Sequence, residues 1–160
     1  MKRLAILVAV IAGSAQAQLT VGANLYSWHS KSDYPEVYQY QSFTPGVYAR
    51  YGSDWFVEGG VYRNSQGFVS PHIGGGYSWQ WSRFDLSIAA GGVYGYRDWY
   101  GWVRPDGSTY VTYGPAELRA FVIPSIGLKL GDGWKARAFL IPAVEKDKVY
   151  CVSFALERAL

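Results

Sequence analysis

The sequence predicts an all-β fold, an eight-stranded antiparallel transmembrane β-barrel, and three observations predict it. Apolar residues alternate with polar or small ones in segment after segment, the period of a strand with one face in lipid and the other in a lumen. Nineteen glycines, fourteen tyrosines and seven tryptophans weight the composition toward barrel walls and membrane interfaces. The connections between segments alternate between short and longer, as they do in bacterial outer-membrane barrels, where short turns are periplasmic and longer loops extracellular.

The first residues stand outside this fold. Lys2 and Arg3 form a positive n-region, Leu4 to Ala12 an apolar h-region, and Ser14-Ala15-Gln16-Ala17 a small-residue cleavage site. Residues 1–17 therefore read as a secretory signal peptide, and 18–160 as one barrel domain. The h-region is too short to cross a bilayer as a helix, and no later run approaches the ~20 apolar residues a helix needs. Without Lys2 and Arg3, thirteen basic residues face twelve acidic ones, a net charge of +1. No nucleic-acid partner is implied. Cys151 is alone, so no disulfide framework exists. His29 and His72 are the only histidines, and no zinc spacing is present; no metal and no cofactor are expected.

The first strand is expected at Leu19 to Trp28, with Leu19, Val21, Ala23 and Leu25 outward and Thr20, Gly22, Asn24 and Tyr26 inward. A polar loop follows, Ser30 to Gln41. The second strand runs from Phe43 to Tyr51 and ends in the turn Gly52-Ser53-Asp54. The third is Trp55 to Tyr62, then a polar tip at Asn64-Ser65, then a fourth strand, Val69 to Trp81. The fifth, Arg83 to Tyr96, alternates most clearly: Phe84, Leu86, Ile88, Ala90, Gly92, Tyr94 and Tyr96 share one face. A long connection is expected from Arg97 to about Glu117. The last three strands are Arg119 to Leu130, Trp134 to Pro142 and Val149 to Glu157, joined by Gly131-Asp132-Gly133 and the charged turn Glu145 to Lys148. Leu19, Val21, Leu86, Ile88, Val152 and Phe154 should face lipid. Arg50, Glu58, Asp85 and Arg137 should point inward, where charges can pair.

Parity of the connections then gathers a candidate site. His29 follows the first strand and Asn64-Ser65 the third, so all three belong to one rim. A His near a Ser is the minimum for nucleophile or general-base work, and Asn64 can supply a third polar group as a neutral dipole. The other reading is an interfacial aromatic belt at Trp28-His29 and ordinary turn chemistry at Asn64-Ser65. His72 has no face fixed by parity, because Pro71 precedes it. Pro45, Pro71, Pro124 and Pro142 donate no ladder hydrogen bond, and gaps beside them would let a lipid chain enter sideways, unless they sit at strand ends or bulges.

Together these residues resemble the lipid A palmitoyltransferase family, PagP and its PagP-like relatives. Ser27-Trp28-His29 is similar to the family's Thr-Trp-His after the first strand, and Asn64-Ser65 stands where the family has Asp-Ser. Val69, Pro71, Gly74, Gly76 and Tyr77 match its V-x-P-x-x-G-x-G-aromatic pattern, Pro124 and Gly127 a later Pro and Gly, and Pro142 a final strand proline. The resemblance extends over most of the chain after residue 17. It implies a barrel with an interior acyl-chain pocket and an outward-facing catalytic His29, residue 64 and Ser65. It also implies an outer-membrane monomer whose partners are phospholipid and lipopolysaccharide, with a palmitoyl chain moved from phospholipid to lipid A. The chain departs from the family at Asn64, in lacking the amphipathic helix before the first strand, and in ending without a terminal aromatic.

Two functions remain open at this stage. One is a lipid A acyltransferase or related lipid-acyl enzyme. The other is a non-catalytic barrel that binds lipid or another hydrophobic ligand, or shapes the cell surface. A soluble ligand-binding barrel is disfavoured by the apolar face of the fifth strand, which would be a large exposed patch in water.

Overall fold

The computed structural model describes residues 17–30, 39–142 and 149–160. The expected signal peptide up to residue 16, part of the first loop and the charged turn at Glu145 to Lys148 lie outside the described residues. The rest is a closed antiparallel barrel of eight strands, each paired with its neighbours in chain order and the eighth with the first. The strands are β1 (Gln18–His29), β2 (Phe43–Gly52), β3 (Trp55–Arg63), β4 (Val69–Trp81), β5 (Phe84–Val103), β6 (Thr109–Gly131), β7 (Trp134–Ile141) and β8 (Cys151–Ala159).

One end of the barrel is closed off by two-residue turns, Ser53-Asp54, Ser82-Arg83 and Asp132-Gly133. Ser82 and Asp132 sit at φ 51 and 50, and Gly133 at φ 77. Left-handed residues give a hairpin turn the twist its strands require. The longer connections occupy the other end.

The outer surface is that of a membrane-spanning barrel. Val47, Val57, Ile73, Leu86, Ile88 and Val122 form an exposed aliphatic band. Trp55, Trp79, Trp81 and Trp134 ring it near the short turns, and Tyr26, Trp28, Phe43 and Tyr94 near the long loops. An aliphatic band between two aromatic girdles matches hydrocarbon flanked by its two interfaces. The expected outward residues face out, and Arg50, Glu58, Asp85 and Arg137 are all buried.

Those inward charges form a plug at the short-turn end. Arg50 pairs with Glu58 at 2.7 Å. Arg137 is held between Asp85 and Glu157, 2.7 Å from each. Lys135 reaches Asp85 at 2.6 Å, and the Tyr48 hydroxyl donates to Glu157 at 2.6 Å. Three cations balance three carboxylates, so the plug adds no net charge. Glycines let it pack: a Cβ at Gly22 or Gly60 would lie within 2.5 Å of Tyr48.

Three expectations from alternation are corrected. Tyr26 faces outward, because pairing slips between Asn24 and Tyr26 in β1. Tyr96 faces inward, because β5 bulges at Gly95, whose φ of 106 suits glycine. The stretch from Arg97 to Glu117 is no open connection: β5 and β6 continue through it as 20- and 23-residue strands joined by a turn at Arg104 to Ser108. Its alternation was masked by a second register shift, between Arg97 and Trp99.

Candidate functional site

Above the plug lies a cavity of about 200 Å³. One water needs only about 10–15 Å³ on the same measure, so the space is ligand-sized. Val93, Phe121, Ile123, Phe139 and Ile141 give it apolar walls, and Tyr48 and Glu58 belong to its lining where it meets the plug. Phe121 fits against β4 and β5 because Gly74 and Gly91 leave room; a Cβ there would come within 3.0 and 2.7 Å of the ring.

His29 reaches this cavity through the irregularity in β1. Strict alternation from Leu19 would send His29 into lipid. The slip leaves Leu25 and Tyr26 both exposed and turns Ser27 and His29 inward. Ser27 is anchored to Thr44 at 2.7 Å, and the His29 ring stacks on Tyr40 with centroids 5.2 Å apart. Its Nδ1 is buried and has no hydrogen-bond partner among the described residues.

Ser65 lines the same cavity from the β3–β4 turn, and its carbonyl accepts from the Gln41 N–H at 2.8 Å, tying the first loop to that turn. Asn64 is fully buried in the wall beside it. Its Oδ1 accepts from the N–H groups of Gln66 and Phe68, both at 3.0 Å. Its Nδ2 donates to Ser70 Oγ at 2.9 Å and to the Gly95 carbonyl at 3.3 Å. This one amide holds the turn closed and fastens it to the β5 bulge. No hydrogen bond joins His29, Asn64 and Ser65 to one another among the described residues. His29 and Ser65 thus share a mouth, while Asn64 supports the segment that carries Ser65.

Sequence reasoning missed several lining residues. Tyr62 and Tyr96 approach through their hydroxyls at 3.1 Å, and His72 meets the Tyr62 ring edge-on at 5.7 Å. His72 points inward because β3–β4 pairing runs unbroken past Pro71, which pairs with Val61 and faces out. Glycine at 95 was the available signal for the bulge that admits Tyr96.

The wall has a seam. β6 and β7 pair from Gly131 and Trp134 as far as Ser125 and Phe139, and no further. Beyond that point, among the described residues, β6 pairs only with β5, and β7 only with β8. The seam begins at Pro124, which has no N–H to give. Ile123, Ile141 and Pro142 beside it line the cavity, so the pairing ends next to the apolar part of the interior. Pro45 lies at a similar limit, where β2–β3 pairing stops at Gly46 and Tyr62. Chemically, the arrangement offers a proton acceptor and a hydroxyl at the mouth of a chamber with apolar walls.

No family model matches this chain, and no curated protein matches it. Similarity appears among solved structures. A de novo designed transmembrane β-barrel superposes with a TM-score of 0.55 at 11% identity, covering 89% of this chain and 95% of the other. Ail, the attachment invasion locus protein of Yersinia pestis, superposes at 0.52 with 14% identity and the same coverage, 89% and 95%. The Ail complex with the heparin analogue sucrose octasulfate superposes at 0.50 with 14% identity. At these identities the likeness establishes the fold: this chain is a closed eight-stranded antiparallel barrel with the architecture of outer-membrane barrels.

Proposed function

We propose that this chain is a PagP-like lipid-acyl enzyme of the outer membrane, exported by its signal peptide and working as a monomer. It takes one acyl chain of a phospholipid into the cavity and passes that chain to lipid A at the long-loop end. The observation that carries the reading is the end of β6–β7 pairing at Pro124, beside the apolar part of the cavity. A lipid can then keep its headgroup at the rim while one chain leaves the bilayer for the barrel. The reaction is an ester exchange. An acceptor hydroxyl attacks the donor's ester carbonyl, the lysophospholipid oxygen leaves, and one proton passes from the first oxygen to the second. His29 carries that proton, Ser65 presents its hydroxyl to the reacting carbonyl, and Asn64 holds the Ser65 turn in place.

A second reading keeps the acyl chain and drops the transfer. The full engagement of the Asn64 amide in the wall favours it. The barrel then binds lipid or another hydrophobic ligand, or serves the cell surface. Mass spectrometry of lipid A from cells with and without the protein separates the two. Transfer predicts lipid A heavier by one acyl chain only when the protein is present. Identical lipid A, with a lipid co-purifying with the barrel, supports binding alone.

Asn64→Asp probes the same choice. A carboxylate keeps the two bonds accepted from Gln66 and Phe68, can accept from the Ser70 hydroxyl in place of donating to it, and loses the donation to the Gly95 carbonyl, at a cost of about 1–3 kcal/mol in stability. It also brings a negative charge to the rim, which favours protonated His29. Labelled acyl transfer to lipid A should rise over the native chain in preparations where heat-modifiable gel mobility shows a folded barrel. If the variant folds and the rate stays level, the amide itself is the working group.

A further inference from the structure

We infer that the projecting β5–β6 hairpin is a docking platform for the phosphorylated saccharide headgroup of a glycolipid. The inference rests on the reading above, in which the lipid's chain lies in the cavity. β5 and β6 outrun their neighbours: β4 pairs with β5 only as far as Val93, and β7 leaves β6 at Ser125. The segments beyond form a two-stranded ribbon, paired from Trp99–Tyr113 to Val103–Thr109. Its base is clamped by Gln66, which exchanges hydrogen bonds with the backbone of Arg97 at 2.7 and 3.0 Å.

The two faces of the ribbon differ. One carries Tyr113, packed edge-on against Phe68 at 5.0 Å near the base. The other continues the inward row of β5. Tyr96 points into the barrel, Asp98 pairs at 2.9 Å with the cavity-lining Arg119, and Tyr100 and Trp102 follow at alternate positions. Tyr110 lies opposite Trp102 with ring centroids 4.7 Å apart. These three rings stay 57%, 50% and 42% exposed for Tyr100, Trp102 and Tyr110. At the tip the Arg104 guanidinium lies 5.4 Å from the Tyr110 ring centre.

An aromatic strip with hydroxyl and indole N–H groups at its edges suits a sugar ring. The ring's C–H face stacks on the aromatics, while its hydroxyls keep water or find those polar edges. A guanidinium beside the strip suits phosphate, which it can bind through two parallel hydrogen bonds. A plain hydrocarbon uses neither feature. The strip continues the row that leads out of the cavity, so headgroup and chain of one glycolipid, or an acceptor headgroup beside a donor chain, fit the two places together.

The test uses the full chain, refolded in detergent, with lipid A and phosphatidylglycerol titrated separately and bound lipid counted by native mass spectrometry. The triple variant Tyr100→Ser, Trp102→Ser, Tyr110→Ser, and separately Arg104→Gln, are compared with the native chain after gel mobility shows each barrel folded. The triple change should weaken lipid A binding at least about tenfold and Arg104→Gln severalfold, with phosphatidylglycerol unchanged in both. Unchanged lipid A binding in the triple variant overturns the platform and leaves the acyl-chain reading intact. An equal loss for both lipids also overturns it, since the hairpin is then a general membrane contact. If the native barrel binds neither lipid, both readings fall.

Discussion

Arg137→Leu should cost the folded barrel about 3–5 kcal/mol, the usual range for removing one partner of a buried ion pair. Arg137 is 2% exposed and lies 2.7 Å from both Asp85 and Glu157. It also donates to Ser87 and Ser125 at 3.1 and 3.0 Å. Leucine leaves two carboxylates in a narrow lumen with Lys135, which is 2.6 Å from Asp85 but 3.8 Å from Glu157. The expected result is a large drop in the urea midpoint of reversible unfolding into vesicles, followed by tryptophan fluorescence. Neutralising the group together, with Asp85→Asn, Lys135→Gln, Arg137→Leu and Glu157→Gln, should recover most of the loss, because only the mutually paired Arg50 and Glu58 then remain charged. A single-variant loss under about 1 kcal/mol would mean that water, rather than Arg137, satisfies the two carboxylates.

His29→Ala should lower acyl transfer by about 10²–10⁴-fold, the usual worth of a positioned general base. Barrel stability should change little, since the ring's described contact is its stack on Tyr40 at the rim. Ser65→Ala should likewise abolish most transfer while keeping the turn, because the bond that ties Ser65 to Gln41 uses the backbone carbonyl and not the hydroxyl. Both are read as labelled acyl incorporation into lipid A, at equal amounts of folded barrel. Transfer that survives His29→Ala removes His29 from the chemistry, and makes the histidine a rim residue of an acyl-binding barrel.

The barrel itself was legible because a lipid-facing strand must alternate. Leu86 and Ile88 outward with Asp85 and Ser87 inward follows from period two alone, and the charges at 50, 58, 85 and 137 had no acceptable place except the lumen. Alternation failed wherever the ladder slips. Leu25 carries no mark of a slip and Gly95 marks one only as a glycine inside a strand, yet the first turns His29 inward and the second brings in Tyr96. Period-two reading assigned both Tyr26 and Tyr96 to the wrong face for that reason. The hairpin beyond Arg97 was hidden the same way. Its extra residue opposite Asp98 breaks the pattern, and its Gly, Pro and aromatic content reads as loop.

The rim was legible as a place and less so as a mechanism. Counting connections brought His29 and Ser65 to one end, and the cavity between them accords with that count. The part played by Asn64 was not readable from spacing, because its four hydrogen bonds run to groups as far away as Gly95, thirty-one positions along the chain. An Asn before a Ser in a turn looks alike whether it faces a substrate or locks a wall. The prolines were readable only as possible gaps. Pro124 sits where β6 and β7 part, whereas Pro71 lies within a continuous ladder on its β3 side.

The most direct measurement of the central claim, that a lipid chain enters the barrel, is photocrosslinking with a phospholipid carrying a diazirine near the end of one acyl chain. The full chain is reconstituted in bilayers containing that lipid, irradiated and mapped by peptide mass spectrometry. Successive residues beside the seam provide the internal comparison, because Phe121, Ile123 and Ile141 line the cavity while Val122 and Leu140 face lipid, 55% and 46% exposed. An occupied cavity predicts adducts on Phe121, Ile123 and Ile141. Adducts confined to Val122, Leu140 and the rest of the outer band would contradict it.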